Sequence, residues 1–278
     1  MQIGFIGTGS MGTILIQSFV ESGRIHPSQI IASNRTGEKI QKLAWKYPGL
    51  QTGTNRDVAK NAALLFICVK PLNYRSVLDE VRDLLSPEKF LVSITSSVNV
   101  DLLESVCYCK TARVIPSITN AARHGASLIT FGNRLQAADK SLLLRLMSAI
   151  STPVEIDDEN TRISSDIVSC GPAFFSFLLQ RFIDSAVQET GISEDAATKM
   201  MTQMIVGMGK LFEEERYTLS SLQEKVCVPG GVTGIGLHVL DKETADVFDH
   251  LIQATHRKFA EDVSNVKASF ADKKNSLH

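Results

Sequence analysis

The sequence predicts an α/β protein, with a doubly wound parallel sheet in the first part of the chain and only helices in the second. A short apolar strand at the start leads into Gly7-x-Gly9-x-x-Gly12 and then into a helix-compatible segment, which is a strand–turn–helix unit. Apolar runs typical of buried strands then alternate with amphipathic segments as far as Val154. Beyond Val154 the apolar residues recur with the period of long helices.

The glycine turn at residues 7–12 has the spacing of a dinucleotide-binding fingerprint. Gly7 would allow the tight turn, Gly9 would let a pyrophosphate approach the backbone, and Gly12 would let the helix lie close to the strand. The unpaired N–H groups at the start of the helix would then face the phosphates. Any glycine-rich turn between a strand and a helix shares part of this pattern, but its place directly after the strand favours nucleotide binding.

The second predicted strand, residues 29–33, ends in Ser33-Asn34-Arg35. An enzyme that uses NAD usually has an acidic residue here, which accepts hydrogen bonds from the ribose 2′-hydroxyl. Arg35 would instead pair with a 2′-phosphate through two hydrogen bonds. The sequence therefore predicts NADP(H) in preference to NAD(H). The alternative is an ordinary solvated arginine that opens the next helix.

Further strands are predicted at residues 62–69, 90–94, 112–115 and 126–131. In an open parallel sheet the ligand lies at the carboxyl ends of the strands. We therefore expect one crevice to be lined by the loops that follow these ends, namely residues 7–12, 33–35, 69–71, 95–97 and 116–120.

Two features of the second half interrupt its helical pattern. A Gly-Pro pair is costly inside a helix, so we predict a kink at residues 170–172 of the long segment 160–188. Residues 229–234, with the sequence PGGVTG, form a glycine turn before another helix. Its free N–H groups would suit a substrate carboxylate, and a plain connection between two helices is an equal alternative.

These patterns predict a nucleotide-binding domain at residues 1–154, a helical domain at residues 155–263 and a polar, frayed tail at residues 264–278. Several long helices of the second domain carry apolar faces that so small a domain does not bury by itself. Pairing with a second copy of the chain would cover them. We therefore expect a homodimer.

Composition excludes several classes of function. The formal net charge of −1 gives no electrostatic basis for binding nucleic acid or an anionic membrane. The sequence has neither an apolar run of membrane-spanning length nor an export signal, and its five cysteines have no CxxC spacing. We expect a cytoplasmic protein with reduced thiols that binds no metal.

Four motifs together resemble the pyrroline-5-carboxylate reductases, with GFIGTGSMG at residues 4–12, VKP at 69–71, CGPAF at 170–174 and VPGGVTGIGLHVL at 228–240. The resemblance runs in register from Met1 to about Val263. It implies an oxidoreductase of proline biosynthesis that reduces a cyclic imino acid to L-proline with NAD(P)H. It also implies an N-terminal Rossmann domain and a C-terminal, all-helical dimerisation domain, with dimers that often assemble into decamers.

Position by position, the resemblance implies the residues of the site. The cofactor residues are Gly7, Thr8, Gly9, Ser10, Met11 and Gly12 at the pyrophosphate, Asn34 and Arg35 at the 2′-phosphate, Asn55 at the adenosine ribose, and Val69, Lys70 and Pro71 beside the nicotinamide. The substrate residues are Ser169, Gly171 and Pro172, followed by Pro229, Gly230, Gly231, Val232 and Thr233. Thr233 would assist protonation of the ring nitrogen, which hydride addition leaves basic. Lys70 is the second expected catalytic residue.

The substrate loops depart from the family pattern more than the cofactor loops do. Cys227-Val228 stands where the family usually has two hydroxyl residues, so the hydroxyl expected to recognise the substrate carboxylate is absent at Val228. Ser96-Ser97, Pro116-Ser117-Ile118-Thr119, Cys170 and Phe174 also differ from the usual residues. These departures indicate a divergent branch of the family. Such a branch would reduce pyrroline-5-carboxylate or another small carboxylate, or would bind the cofactor in a regulatory role.

Overall fold

A computed structural model describes residues 1–271 and contains one eight-stranded sheet. The strands are β1 (Ile3–Ile6), β2 (Ile30–Ser33), β3 (Gln51–Thr52), β4 (Leu64–Ile67), β5 (Phe90–Ser93), β6 (Lys110–Ile115), β7 (Ala126–Phe131) and β8 (Thr152–Glu155). Their order in the sheet is β3-β2-β1-β4-β5-β6-β7-β8. Strands β1 to β6 are parallel, whereas β7 runs antiparallel to β6 and parallel to β8.

The α-helices follow the strands on both faces of the sheet and then continue alone. They are α1 (Ser10–Glu21), α2 (Gly37–Lys46), α3 (Asn55–Asn61), α4 (Tyr74–Val81), α5 (Val100–Glu104), α6 (Ala137–Met147), α7 (Thr161–Ser165), α8 (Gly171–Thr190), α9 (Glu194–Glu213), α10 (Leu219–Val226), α11 (Val232–Glu243) and α12 (Val247–Ala271). No helix in this part of the chain is long and apolar enough to cross a membrane. The predicted fold class is confirmed, with the antiparallel pairing of β7 as an addition.

The central strands are buried on both faces because almost every side chain in them is apolar. On one face Phe5 and Phe66 stack with ring centroids 5.0 Å apart, and Phe19 of α1 packs on both. On the other face Ile6 and Ile67 belong to a second buried cluster. Register aligns Ile6 with the last residues of β2 and β4, so the loops that follow these three strands begin side by side.

Within residues 1–271 the chain divides into two compact units, one formed by Met1–Pro172 together with residues 254–271 and the other by Ala173–Gln253. This division differs from the predicted boundary after Val154, because β8 belongs to the sheet and α7 lies in the same unit. The assignment of a function to each region stays a prediction.

The predicted polar tail is wrong for residues 264–271, which continue α12. Val266 and Phe270 are buried in the cluster on one face of the sheet, and the ring of Phe270 lies 5.8 Å from the guanidinium carbon of Arg75. Burial of these two apolar side chains one helical turn apart holds the end of the helix. The rest of the predicted tail, residues 272–278, lies outside the described residues.

The predicted kink at residues 170–172 is a π-helical turn instead. Asp166–Cys170 form this turn, and α8 begins directly after it at Gly171. Pro172 therefore stands directly after the π-turn, in the first turn of α8. Single π-turns insert an extra residue into a helix and are frequent at functional sites.

Candidate functional site

The glycine turn leaves the start of α1 open to a ligand. The Gly7 N–H donates to the Ser33 carbonyl over 2.9 Å, and the φ of Gly7 is +99°, a left-handed conformation that favours glycine. Around Gly9 there is no atom within 4 Å of the position that a β-carbon would take. Gly9 is also the N-cap of α1 and has no side chain to accept from the first N–H groups of that helix. These groups are therefore available to a phosphate.

A cavity of about 640 Å³ runs from this turn along the ends of β2 and β4. It brings together the expected Asn34, Arg35, Asn55, Val69 and Lys70 with Gly7 and Gly9. This set covers three of the five loops that were predicted to converge.

Hydrogen bonds fix the polar side chains of this cavity. The Thr8 N–H donates to Asn34 Oδ1 over 3.3 Å, and Ser33 Oγ donates to Asn55 Oδ1 over 2.7 Å. Asn55 Nδ2 in turn donates to Glu80 Oε2 over 2.7 Å. Arg35 is exposed at the rim and has no ion pair within residues 1–271. Its guanidinium is therefore free to bind an anion.

Lys39 is a cavity residue that the sequence interpretation missed. It lies in the first turn of α2, which begins two residues after Arg35, and lines the same cavity. A second cation so soon after Arg35 was the signal that could have identified it. The rim of the cavity thus carries two cations.

A second cavity, of about 560 Å³, begins at the other side of the glycine turn. It shares Gly9, Lys39, Cys68, Val69 and Lys70 with the first cavity and adds Ser10 and Met11. Its further lining comes from the loop after β5, the end of β6 and the π-turn, namely Ile94, Thr95, Ser96, Ile115, Pro116, Arg162, Ser165, Ser169 and Cys170. The expected Ser169 therefore lies in a cavity with Ser10, Met11 and Lys70. The expected Pro71, Gly171 and Pro172 adjoin it in sequence but do not line it.

Tyr74 holds two of these loops in place, although the sequence interpretation did not select it. Its hydroxyl donates to the Ile67 carbonyl over 2.6 Å and accepts from Ser93 Oγ and the Ile94 N–H, each over 3.1 Å. Burial raises the pKa of Tyr74 well above its usual range, so the phenol stays protonated as the donor. The ends of β4 and β5 are thereby joined where they meet the second cavity.

Arg113 was also missed, and it anchors the far side of the same cavity. The side chain is almost fully buried in β6 and donates from Nη1 to the Ser96 carbonyl over 3.1 Å. Its Nη2 contacts Asp158 Oδ1 at 2.6 Å and Thr161 Oγ1 at 2.5 Å. Burial lowers the pKa of Arg113, and Asp158 opposes this change. Arg113 thus connects the loop after β5 to the beginning of α7.

Pro116 and Ser117 connect the sheet to the π-turn. Ser169 Oγ donates to the Pro116 carbonyl over 2.9 Å, and Ser117 Oγ donates to the Val168 carbonyl over 2.8 Å. Ser117 is buried, so its hydroxyl acts as a structural link.

The expected residues 229–233 lie in the second compact unit, where they form a turn before α11. The Gly231 N–H donates to the Val228 carbonyl over 2.9 Å, and Gly230 has a φ of +75°. A shallow cavity of about 480 Å³ follows this turn and includes Pro229. The side chain of Val232 is 84% exposed, and Thr233 is the second residue of α11. The roles of these residues in the site stay predictions.

The cysteine pair Cys107 and Cys109 is buried in the connection between α5 and β6. A hydrogen bond between the two thiols raises the pKa of Cys107 and lowers that of Cys109. Within residues 1–271 there is no group of three or more histidine, cysteine or acidic side chains that could hold a metal ion.

Comparisons with known proteins identify the family. Residues 158–262 match the family model described as pyrroline-5-carboxylate reductase dimerisation, and residues 2–97 match the one described as NADP oxidoreductase coenzyme F420-dependent. Pyrroline-5-carboxylate reductase 3 of Bacillus subtilis is 30% identical over 259 residues, which cover 93% of this chain and 95% of that protein. The chain belongs to the pyrroline-5-carboxylate reductase family. The resemblance predicted from the motifs is therefore confirmed.

A second relative is more similar in sequence. ComE operon protein 4 of Bacillus subtilis is 49% identical over 271 residues, which cover 97% of this chain and 99% of that protein. Among solved structures, the pyrroline carboxylate reductase of Plasmodium falciparum with NADP bound has a TM-score of 0.80 at 22% identity, covering 98% of each chain. The enzyme from Coxiella burnetii has the same TM-score at 23% identity, covering 96% of this chain and 98% of its own. At these identities the two structures establish the fold of the family in this chain.

Proposed function

We propose that this protein reduces the C=N bond of 1-pyrroline-5-carboxylate with NADPH and forms L-proline, as a cytoplasmic step of proline biosynthesis. The observation that supports this most is the pair of cavities that share Gly9, Val69 and Lys70. A dinucleotide in the first cavity and a small ring in the second would meet at Lys70. The name of the 30% identical relative supports the choice of substrate.

The proposed chemistry divides between the cofactor and the chain. NADPH, when bound, would supply the hydride that forms the new C–H bond, while the ring nitrogen takes up one proton. The N–H groups at the start of α1 would hold the pyrophosphate, and Arg35 with Lys39 would hold the 2′-phosphate. Thr233 would donate a hydrogen bond to the ring nitrogen and assist its protonation. Lys70 lines both cavities, so its ammonium would lie beside both reactants.

Consumption of NADPH with 1-pyrroline-5-carboxylate tests this proposal, provided that the product is identified as L-proline by chromatography. We expect one proline formed for each NADPH consumed. If NADPH is not consumed although it binds tightly, the proposed reaction is wrong.

A second candidate function follows from Val228, which is 59% exposed and places an isopropyl group ahead of the 229–234 turn. Without a hydroxyl at this position, the protein would bind NADP but reduce a different small imino or keto carboxylate, or act as a regulatory cofactor-binding protein. Tight NADPH binding together with turnover of another small carboxylate would show that the protein is a reductase of that carboxylate. Binding without any turnover would select the regulatory role.

The Arg35→Ala variant tests the preference for NADPH. Loss of a charge-assisted hydrogen bond to the 2′-phosphate should weaken NADPH about tenfold or more, whereas NADH, which lacks this phosphate, should bind as before. Arg24→Ala is the matched control, because Arg24 is an exposed arginine that lines none of these cavities. Fluorescence titration of both cofactors measures the effect, and an equal loss for NADH and NADPH would contradict the preference.

We also propose that the protein forms at least a homodimer, with a decamer as a further possibility. The second unit exposes large apolar side chains from several helices, among them Phe175, Phe177, Phe182, Met204, Ile235 and Val239. Apolar surface of this kind marks protein interfaces. Sedimentation at micromolar concentration should therefore give twice the 30.4 kDa mass of the chain or a higher multiple. A stable species of 30.4 kDa would contradict this proposal.

A further inference from the structure

Arg162 differs from the other cations of the second cavity in its position. Lys39 and Lys70 line both cavities, whereas Arg162 lines the second cavity alone, together with Ser165 and Ser169. It therefore belongs to the part of the site beyond the proposed cofactor. The side chain is largely buried, with 15% of its surface exposed.

The guanidinium of Arg162 is held in a fixed orientation. Its Nη2 donates to Asp166 Oδ1 over 2.8 Å and to Cys170 Sγ over 3.3 Å. Its central carbon lies 5.5 Å from the ring centroid of Phe259 on α12. Asp166 is itself fixed, because its Oδ2 accepts from Thr255 Oγ1 over 2.7 Å. A group held in this way loses little conformational freedom when it binds a ligand.

Arg162 nevertheless keeps donors that the protein does not use. A guanidinium has five N–H donors, and both hydrogen bonds that Arg162 makes within residues 1–271 come from Nη2. In the same described part of the chain, Nε is buried without any acceptor, whereas Nη1 is neither hydrogen-bonded nor closed off. An arginine with an accessible, unused Nη1 beside a cavity is suited to an acceptor that arrives with a ligand.

The rest of the cavity lining suits an anion. Its other polar side chains are hydroxyl groups, two thiols and the two lysines, and no acidic residue is among the lining residues. Asp166 balances part of the charge of Arg162 through their contact. A carboxylate that entered would meet hydrogen-bond donors and positive charge without repulsion from the lining.

We propose that Arg162 binds the carboxylate of the substrate and replaces the recognition that the hydroxyl missing at Val228 would supply. The proposal rests on the proposed reductase function and assigns the substrate class to small cyclic imino acids with a carboxylate. With both hydrogens of Nη2 used by Asp166 and Cys170, Nη1 would donate a charge-assisted hydrogen bond to a carboxylate oxygen. Arg162 thereby selects against uncharged cyclic imines.

Arg162→Gln, with Arg75→Gln as the matched control, tests the proposal. Arg75 also pairs with an aspartate four residues later, also lies over a phenylalanine of α12 and is also 15% exposed, but it does not line the cavity. A structural effect of losing such an arginine would therefore appear in both variants. An effect on the carboxylate site would appear only in Arg162→Gln.

Calorimetry with tetrahydrofuran-2-carboxylate, a ring carboxylate that cannot be reduced, gives a readout that is independent of turnover. With NADP⁺ present, Arg162→Gln should bind this probe about 10- to 100-fold more weakly than the wild type, and Arg75→Gln should bind it normally. Arg162→Lys keeps the positive charge but loses the planar guanidinium over Phe259, so its affinity for the probe should fall between those of the wild type and Arg162→Gln. Equal binding by wild type and Arg162→Gln, or no binding by the wild type, would overturn the proposal.

Kinetics with two substrates separate this proposal from the proposed function. For Arg162→Gln we expect a higher KM for 1-pyrroline-5-carboxylate and an unchanged rate with 1-pyrroline, which lacks the carboxylate. An equal loss with both substrates would overturn the role of Arg162. A wild type that binds the ring carboxylate through Arg162 but consumes no NADPH would refute the reductase function alone.

Discussion

Gly9→Ala should weaken NADPH binding by about 100-fold, which corresponds to about 2.7 kcal/mol, while the protein stays folded. The φ of Gly9 is −72°, which any residue adopts, and there is open space where its β-carbon would lie. The new methyl group would therefore strain nothing in the protein. It would instead occupy the space through which a pyrophosphate approaches the N–H groups at the start of α1.

Fluorescence titration with NADPH measures the loss, and thermal unfolding without cofactor measures the stability. Gly207→Ala is the control, because Gly207 also has open space around its β-carbon position but lies in α9 and lines neither cavity. It should bind NADPH as the wild type does. Normal NADPH binding by Gly9→Ala would show that the glycine turn does not contact the cofactor.

Gly12→Ala should act on the fold itself and lower its stability, whereas Gly9→Ala acts on cofactor binding. A β-carbon on Gly12 would lie 2.2 Å from the Gly7 carbonyl oxygen and 3.0 Å from Cys68 Cβ. The Gly7 oxygen that the new β-carbon would meet belongs to the backbone of the turn, so a rotation of a side chain cannot relieve the clash. Overpacking of this kind costs about 1–3 kcal/mol and occasionally more.

For a chain of this size we expect Gly12→Ala to lower the Tm by about 5–10 °C. Gly9→Ala is the matched variant, with the same change in the same turn but without the clash. Calorimetry of both proteins without cofactor makes the comparison. A Gly12→Ala protein that unfolds at the wild-type temperature would mean that α1 does not pack against the turn as closely as the structure has it.

The central strands could be predicted because their sequence pattern is determined by burial on both faces, as in Leu64–Ile67. Two strands could not. Both residues of Gln51–Thr52 are exposed, and Thr152–Glu155 is mostly exposed, so these edge strands depend on pairing with a neighbour and carry little apolar signal. The direction of Ala126–Phe131 could not be predicted either, because a buried strand has the same apolar pattern whether it runs parallel or antiparallel to its neighbour.

The loops of the site could be predicted from topology, since the ends of parallel strands meet at one edge of the sheet. Arg113 and Arg162 could not, because their roles arise from contacts distant in sequence, such as Arg113 with Thr161 and Arg162 with Phe259. The π-turn could not be predicted for the same reason, because its contacts with Pro116 and Ser117 are also distant in sequence. The end of α12 did carry a signal, because Val266 and Phe270 are apolar and one helical turn apart.

Transfer of a deuteride from NADPH that carries deuterium at both C4 positions of the nicotinamide tests the central claim most directly. The label is followed by mass spectrometry of the product formed from 1-pyrroline-5-carboxylate. The account predicts L-proline that carries one deuterium at C5, and loss of this product in Gly9→Ala at low cofactor concentration. A protein that binds NADPH tightly but leaves the label on the cofactor would contradict the account.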